Sequence, residues 1–180
     1  MSHADDFARL FIALWPDPAI REQLRAWRDS FAWPKPAAPV RTQQLHVTLH
    51  FLGNIPRVRL PELVRGLGVG FAPFELELDH AELWRGSIAV LAPNSSPILA
   101  PPPLLALHGA LGEALRRLGL PLEARPYRPL VSLARRAGRE LAPTIQCPPV
   151  LWQVDGYALM ESKLGASAEY GVVHHYPATS

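Results

Sequence analysis

The chain has 180 residues, 48% of them hydrophobic, so it can bury enough apolar surface for one sizeable domain or for two lobes that share a cleft. A net charge of +2 does not by itself indicate a nucleic-acid-binding protein, and a single cysteine, Cys147, excludes an internal disulfide framework. No apolar run approaches the roughly 20 residues of a membrane-spanning helix, and the N-terminus lacks the pattern of a signal peptide. We therefore expect a soluble protein in the reducing cytoplasm.

The first third of the chain predicts a strand, a helix and a second strand. A run of strand formers extends from Phe7 to Leu14 and stops at a Pro-rich turn. Asp17 can cap the helix that follows, and Pro18 suits its first position. The Pro-rich stretch 34–39 predicts a linker, and Leu45 to Leu52 predicts the second strand, which ends at a Gly-Asn turn.

The remainder of the chain predicts a mixture of short strands and one clear helix. Phe74 to Leu78 alternates apolar and acidic residues, which indicates a half-buried strand, with 87–91 as its antiparallel partner. The stretch 92–103 is rich in Pro, Ser and Asn and predicts a seam between two halves. Leucines at helical spacing from Leu104 to Leu118 predict a helix that ends at Gly119. Further strands are predicted at 130–134, 152–160 and 170–176.

These elements favour an α+β fold built from antiparallel sheets flanked by helices. Each half of the chain contains several strands and one or two helices, and the hairpin-like runs do not suit a doubly wound parallel sheet. We expect a single bilobal domain over residues 1–180, with two similar lobes and a central cleft.

His46 and Thr48 are the first candidates for chemistry. At positions i and i+2 of a strand, both side chains project from one face, about 7 Å apart along the chain. A histidine can exchange a proton near neutral pH, and a threonine hydroxyl can donate a hydrogen bond to a phosphoryl oxygen. The same alternation places His50 on this face. A structural histidine on a half-exposed strand is the alternative for so short a motif.

A second segment repeats this pattern. Val131-Ser132-Leu133 matches Val47-Thr48-Leu49 in type and order, 84 residues later in the chain. The repeat predicts two symmetry-related strands that face each other across the cleft. Leu130 occupies the position that matches His46.

These motifs resemble the two-histidine phosphoesterases, and among them the bacterial RNA 2′,3′-cyclic phosphodiesterases, also called 2′-5′ RNA ligases. The resemblance covers nearly the whole chain. Its segments are the opening strand Arg9-Leu10-Phe11-Ile12-Ala13-Leu14, the His-x-Thr motif around His46, the segment Arg128-Pro129-Leu130-Val131-Ser132-Leu133-Ala134-Arg135, and a C-terminal hairpin with Glu161-Ser162-Lys163-Leu164 and Tyr170.

The resemblance implies hydrolysis of RNA 2′,3′-cyclic phosphate ends to 2′-phosphates without a metal or a cofactor, and reversible 2′-5′ ligation as a further expectation. It assigns His46 as the acid that protonates the leaving ribose oxygen. Thr48 and Ser132 would bind the phosphate, and Arg135 would stabilise the charge of the transition state. A solvent-exposed strand end is the alternative for Arg135. The expected partners are RNA ends or nucleoside cyclic phosphates, with no membrane and no obligate protein partner, so we expect a monomer.

Leu130 departs from the family pattern, which has the second catalytic histidine there. Leucine cannot transfer a proton, and loss of one positioned acid or base typically costs about 10²–10⁴-fold in rate. We therefore expect weak or no activity. An engineered His-to-Leu variant and a natural member that only binds nucleotides or RNA ends are both open, and the otherwise intact apparatus favours the first.

Other side chains carry weaker expectations. Phe51 or Tyr127 could stack on a nucleobase. His174 and His175 are expected on an outer strand, where a metal site would lack a third ligand. Rescue of the missing histidine by His50 is not expected, because it lies on the wrong lobe for in-line attack.

Overall fold

A computed structural model describes residues 6–85, 87–94, 100–163 and 169–179. Three predicted features fall partly outside these residues: the N-terminal segment 1–5, positions 95–99 of the seam, and Leu164 of the C-terminal hairpin. Among the described residues, no helix is long and apolar enough to cross a membrane.

The helices and strands follow one another in a mixed order. In sequence they are β1 (Phe7–Leu14), α1 (Pro18–Asp29), β2 (Ala38–Pro39), β3 (Val47–Pro56), α2 (Leu60–Gly66), β4 (Phe74–Leu78), β5 (His80–Trp84), β6 (Ile88–Ala92), α3 (Pro102–Arg117), β7 (Val131–Arg135), β8 (Val150–Val154), β9 (Gly156–Lys163) and β10 (Glu169–Pro177). Short 3₁₀ turns at Thr42–Gln44 and Arg57–Arg59 flank β3.

Eight of the described strands form one antiparallel sheet. Its order is β10-β9-β1-β3-β7-β6-β5, with β2 paired to β7, and β4 and β8 form a separate two-stranded sheet. At the centre, β3 and β7 share a single register pair, Val47 with Val131. The sheet is therefore weakly joined at its middle, with strands β1, β3, β9 and β10 on one side and strands β2, β5, β6 and β7 on the other.

The α+β class with antiparallel sheets is as predicted, whereas the division of the sheet does not follow the predicted seam. The hairpin β5-β6 precedes residues 92–103 in sequence but lies beside β7, which follows them. Strand β9 follows residues 92–103 but lies beside β1, which precedes them. The chain thus crosses between the two groups of strands more than once. The bilobal domain remains a prediction.

The two faces of the large sheet have different environments. Alternate residues of β1, among them Leu10 and Ile12, enter the main core, which also contains the apolar faces of the three helices and of the small sheet. On the opposite face a small separate cluster contains Phe11 and Ala13 of β1 with Ala158 and Met160 of β9. This second face also carries His46, whose ring contacts Phe11, and we call it the cleft face.

Local signals predicted several elements well. Asp17 caps α1 by accepting a hydrogen bond from the Ile20 amide at 2.8 Å, with Pro18 in the first turn. Gly119 follows α3 with φ of +69°, a conformation that favours glycine. The predicted strand over 152–160 is instead two strands, β8 and β9, because Asp155 between them belongs to neither strand.

The predicted partner of β4 was wrong. β4 pairs with β8 over five residues, from Phe74 opposite Val154 to Leu78 opposite Val150, while the strand near 87–91 pairs with β5. Residues 87–91 and 150–154 are both rich in apolar residues, so composition alone does not choose between them.

Candidate active site

His46 lies one residue before β3 and is held by both ring nitrogens. Its Nδ1 is 2.6 Å from the carbonyl oxygen of Gln44, and its Nε2 is 2.9 Å from the Thr48 hydroxyl. Because a carbonyl oxygen can only accept, we assign the proton of the neutral ring to Nδ1. The Thr48 hydroxyl then donates to Nε2. The nitrogen beside Thr48 is therefore the one that can exchange a proton with a substrate.

Aromatic rings surround His46 on the cleft face. The centroids of Phe11, Tyr170 and Trp15 lie 5.1, 5.5 and 5.8 Å from that of the imidazole. Partial burial lowers the pKa of His46 below its usual value, and the Arg21 charge lowers it slightly further, against the opposing effect of the Gln44 hydrogen bond. The His46 imidazole therefore loses its proton more readily than a free imidazole does.

Arg21 of α1 holds the backbone that precedes His46 in place, a role that the sequence did not indicate. Its guanidinium donates to the carbonyl oxygens of Thr42 at 2.9 Å, Pro16 at 3.1 Å and Leu45 at 3.3 Å, and lies 4.7 Å from the Trp15 ring centroid. These contacts span up to 24 residues of sequence. No local sequence pattern indicates these contacts.

The prediction that His50 shares the face of His46 and Thr48 was wrong. In the pairing with β1, Thr48 lies opposite Ala13 and His50 opposite Ile12, so Leu49 is an extra residue in a β-bulge. The bulge turns His50 to the helix side of the sheet, where it is buried and where its Nε2 donates to the His108 carbonyl oxygen at 2.9 Å. His50 therefore cannot take part in proton transfer in the cleft.

The second motif lies directly beside the first. Antiparallel pairing of Val47 with Val131 sets His46 across from Ser132 and Thr48 across from Leu130 when the register is extended by one residue on each side. All four side chains then project from the face opposite to the buried Val47 and Val131. The two motifs are thus related by a local twofold axis through the valine pair, but their strands are neighbours in one sheet, whereas the repeat predicted strands that face each other across a cleft.

Arg135 returns to the cleft face through a second bulge. Val90 of β6 lies opposite Ser132 and Ala89 lies opposite Ala134, so Leu133 is the extra residue. Leu133 and Ala134 are both buried in the main core, and Arg135 is exposed at the end of β7. The two motif strands thus carry equivalent bulges, each directly after the hydroxyl residue.

The segment before Leu130 is anchored by an ion pair and by ring stacking. Arg128 pairs with Glu82 of β5. Tyr127 stacks on His108 of α3, which stacks in turn on His50, each pair 4.0 Å apart between centroids. Tyr127 therefore contacts the core instead of the cleft. Of the two residues predicted as base-stacking candidates, only Phe51 is accessible, with 52% of its surface exposed.

Two comparisons with known sequences agree with this geometry. The family model described as LigT-like phosphoesterase matches residues 14–90. The RNA 2′,3′-cyclic phosphodiesterase of Escherichia coli (strain K12) is 34% identical over 161 residues, which cover 89% of this chain and 87% of that protein. The chain belongs to the LigT-like phosphoesterase family. The family resemblance inferred from the motifs is confirmed.

Solved structures of the family share the fold over almost the entire chain. Crystal structures of E. coli LigT in the apo form and in complex with 3′-AMP superpose with TM-scores of 0.82 and 0.80, each with 27% sequence identity. In both cases the match covers 97% of this chain and 99% of the other. The antiparallel α+β architecture is therefore that of the LigT-like phosphoesterases.

Two of the other described histidines lie at the edge of the large sheet. His174 and His175 are exposed on β10, the edge strand, as predicted. In the described part of the chain, no group of three or more His, Cys, Asp or Glu side chains could hold a metal ion.

Proposed function

We propose that this member of the LigT-like family is an RNA 2′,3′-cyclic phosphodiesterase scaffold that takes RNA ends or nucleoside 2′,3′-cyclic phosphates. The observation that carries the proposal is the pairing of Val47 with Val131, which brings the His46–Thr48 pair beside Ser132 on one open face. Two hydroxyls, one imidazole and one nearby guanidinium suit an anionic phosphodiester.

In the proposed reaction, water attacks phosphorus and the bond to the ribose 3′ oxygen breaks, which leaves a 2′-phosphate. His46 Nε2 donates a proton to the departing oxygen. Thr48 and Ser132 donate hydrogen bonds to the phosphoryl oxygens, and Arg135 offsets the charge that develops on them. An anionic phosphate beside His46 raises the pKa of the imidazole, so binding itself favours the protonated form that an acid requires.

The proposed site lacks a second proton-transfer group, because Leu130 occupies its position. A histidine there would stand to Ser132 as His46 stands to Thr48, and would receive the proton of the attacking water. Leucine leaves the water without a positioned base, and one such group is worth about 10²–10⁴-fold. A non-catalytic module that binds nucleotides or RNA ends in the same cleft is the second candidate, and Leu130 is the observation that favours it.

The decisive comparison is between this chain and Leu130→His on 2′,3′-cyclic AMP in the presence of EDTA, with the product resolved as 2′- or 3′-AMP. We expect a rate increase of about 10²-fold or more and 2′-AMP as the product. Leu130→Asn, polar but unable to act as a base near neutral pH, serves as the matched control and should stay slow. His46→Asn added to Leu130→His should abolish the gain.

Two results would change the conclusion. If neither form turns over and 2′-AMP still binds in the cleft, the protein is a binding module. If neither form turns over nor binds 2′-AMP, the phosphoesterase proposal is wrong.

We also propose that the chain acts as a monomer in the cytoplasm, as a single bilobal unit over residues 1–180. The lone Cys147 suits a reducing compartment, and both motifs come from one chain, so the site needs no second copy. Light scattering after size exclusion tests the monomer, and a mass twice the 19.9 kDa of one chain would contradict it.

A further inference from the structure

The bulge at Leu49 decides which face of the sheet carries the first motif. Leu49 is the extra residue between Thr48 and His50 in the pairing of β3 with β1. Without the bulge, the side chains of His46 and Thr48 would turn to the helix side of the sheet, because β3 from His50 onwards keeps its register with β1. The phosphate site therefore depends on the bulge being held in place.

The bulges of the two motifs are held by different kinds of partner. The extra residue of a bulge lies outside the ladder of strand pairing, so its backbone needs a partner from elsewhere. In the second motif, the carbonyl oxygen of Leu133 accepts from the backbone amide of Val40 at 2.8 Å. In the first motif, the partner is a side chain, because the His108 ring of α3 hydrogen-bonds to the Leu49 backbone.

The His108 ring is the donor in this hydrogen bond. Burial and the neighbouring His50 lower the pKa of His108, whereas the bond to Leu49 acts in the opposite direction. A hydrogen bond that raises the pKa of an imidazole is one in which the ring donates. The acceptor is therefore the Leu49 carbonyl oxygen, the counterpart of the Leu133 carbonyl in the second motif.

A second hydrogen bond joins the same two elements in the opposite direction. Nε2 of the buried His50 lies 2.9 Å from the carbonyl oxygen of His108. The two rings stack with their centroids 4.0 Å apart and their planes 16° apart. A neutral imidazole has one N–H to donate, and here each ring donates it to backbone beside the other ring. The reciprocal pair fixes the bulge of β3 against the middle of α3.

The same stack of rings reaches the second motif. Tyr127 stacks on the free face of the His108 ring, with the centroids 4.0 Å apart, and lies three residues before Leu130. By backbone pairing, the two motif strands share a single register pair. The three stacked rings are thus a second connection between the motif strands, on the helix side of the sheet.

We propose that His108 is a positioning residue of the phosphate site. Its ring holds the bulge that keeps His46 and Thr48 on the cleft face, and through Tyr127 it keeps the second motif strand beside them. His108 lies behind the sheet, so it acts through the backbone of Leu49 and not on a ligand. The inference rests on the proposed function for its ligand, whereas its effect on His46 can be measured without one.

The test compares His108→Phe, which keeps a stacked ring without an N–H donor, with His108→Gln, which keeps a donor. Calorimetry measures the affinity for 2′-AMP, and NMR titration of the His46 ring without ligand measures its pKa. We expect His108→Phe to weaken binding about five- to tenfold, which corresponds to one hydrogen bond. It should also raise the pKa of His46 towards the usual 6.5, because a looser bulge lets water reach the buried ring. His108→Gln should stay closer to the unmodified chain in both measurements.

Tyr157→Phe is the matched control. It removes a ring hydrogen bond to a backbone carbonyl, that of Leu67, from β9, which pairs with neither motif strand. This variant should be less stable in urea but unchanged in both measurements. If His108→Phe also loses stability and leaves both measurements unchanged, the inference is overturned.

Two further results are assigned in advance. If His108→Phe does not fold, His50→Phe, which removes the reciprocal hydrogen bond, replaces it, and unchanged affinity and pKa in that variant would overturn the inference. If the unmodified chain does not bind 2′-AMP, the proposed function is contradicted, and the pKa of His46 alone then decides whether His108 positions the first motif.

Discussion

The buried hydroxyl of Tyr127 allows a direct test of how the segment before Leu130 is packed. Among the side chains that the structure describes, it is a buried polar atom with no hydrogen-bond partner, and burial raises its pKa well above the usual value. The ring itself stacks on His108. Tyr127→Phe removes the unpaired hydroxyl and keeps the stacked ring, so we expect the variant to be more stable than the unmodified protein.

The size of the effect follows from the cost of an unpaired buried hydroxyl, about 1–3 kcal/mol. For a protein of this length, each kcal/mol shifts Tm by about 2–4 °C. Tyr127→Phe should therefore raise the free energy of unfolding by at least about 1 kcal/mol and Tm by a few degrees, as measured by urea and thermal unfolding.

Tyr157 provides the opposite case in the same fold. Its hydroxyl donates to the Leu67 carbonyl oxygen at 2.8 Å and accepts from the Val69 amide at 2.8 Å. Tyr157→Phe leaves both backbone groups without this partner and should cost about 1–3 kcal/mol. If Tyr127→Phe destabilises the protein as Tyr157→Phe does, the hydroxyl has a partner, such as a bound water, and the reasoning is refuted.

Three further predictions concern pH and capping. The affinity for 2′,3′-cyclic AMP should rise as pH falls from 8 to 5.5, and this ligand does not itself titrate near neutrality. The reason is that burial lowers the pKa of His46 in the free protein and the bound phosphate raises it. Calorimetry on His46→Gln should show no such rise. Burial and the neighbouring His50 lower the pKa of His108 to about 4, so the unfolded chain takes up the proton first and the free energy of unfolding should fall as pH drops from about 6.5 to 4. Urea midpoints of His108→Gln should show a smaller fall, and an equal one would contradict this origin. Asp17→Ala should cost about 1 kcal/mol in urea unfolding through loss of the cap on α1, and an unchanged midpoint would show that the cap contributes nothing.

Sequence alone determined the features that depend on neighbours in the chain. The Asp17-Pro18 start of α1 was predictable because a cap needs only the next turn of backbone. The repeat of Val-Thr-Leu as Val-Ser-Leu identified both motif strands, and with them Leu130 as the position that departs from the family pattern. The family could be named from these residues because a phosphate site uses short local motifs.

Tertiary structure decided what depends on pairing between distant strands. The bulge at Leu49, which turns His50 away from the cleft, is a property of the register with β1, and simple alternation along β3 predicted the wrong face. The partner of β4 was likewise open, since residues 87–91 and β8 are both rich in apolar residues and only packing in the common core separates them. The rings around His46 and the Arg21 contacts come from segments far apart in sequence. Local sequence specifies which residues can do the chemistry, whereas strand register specifies which of them meet, because a shift of one residue reverses the face of every side chain that follows.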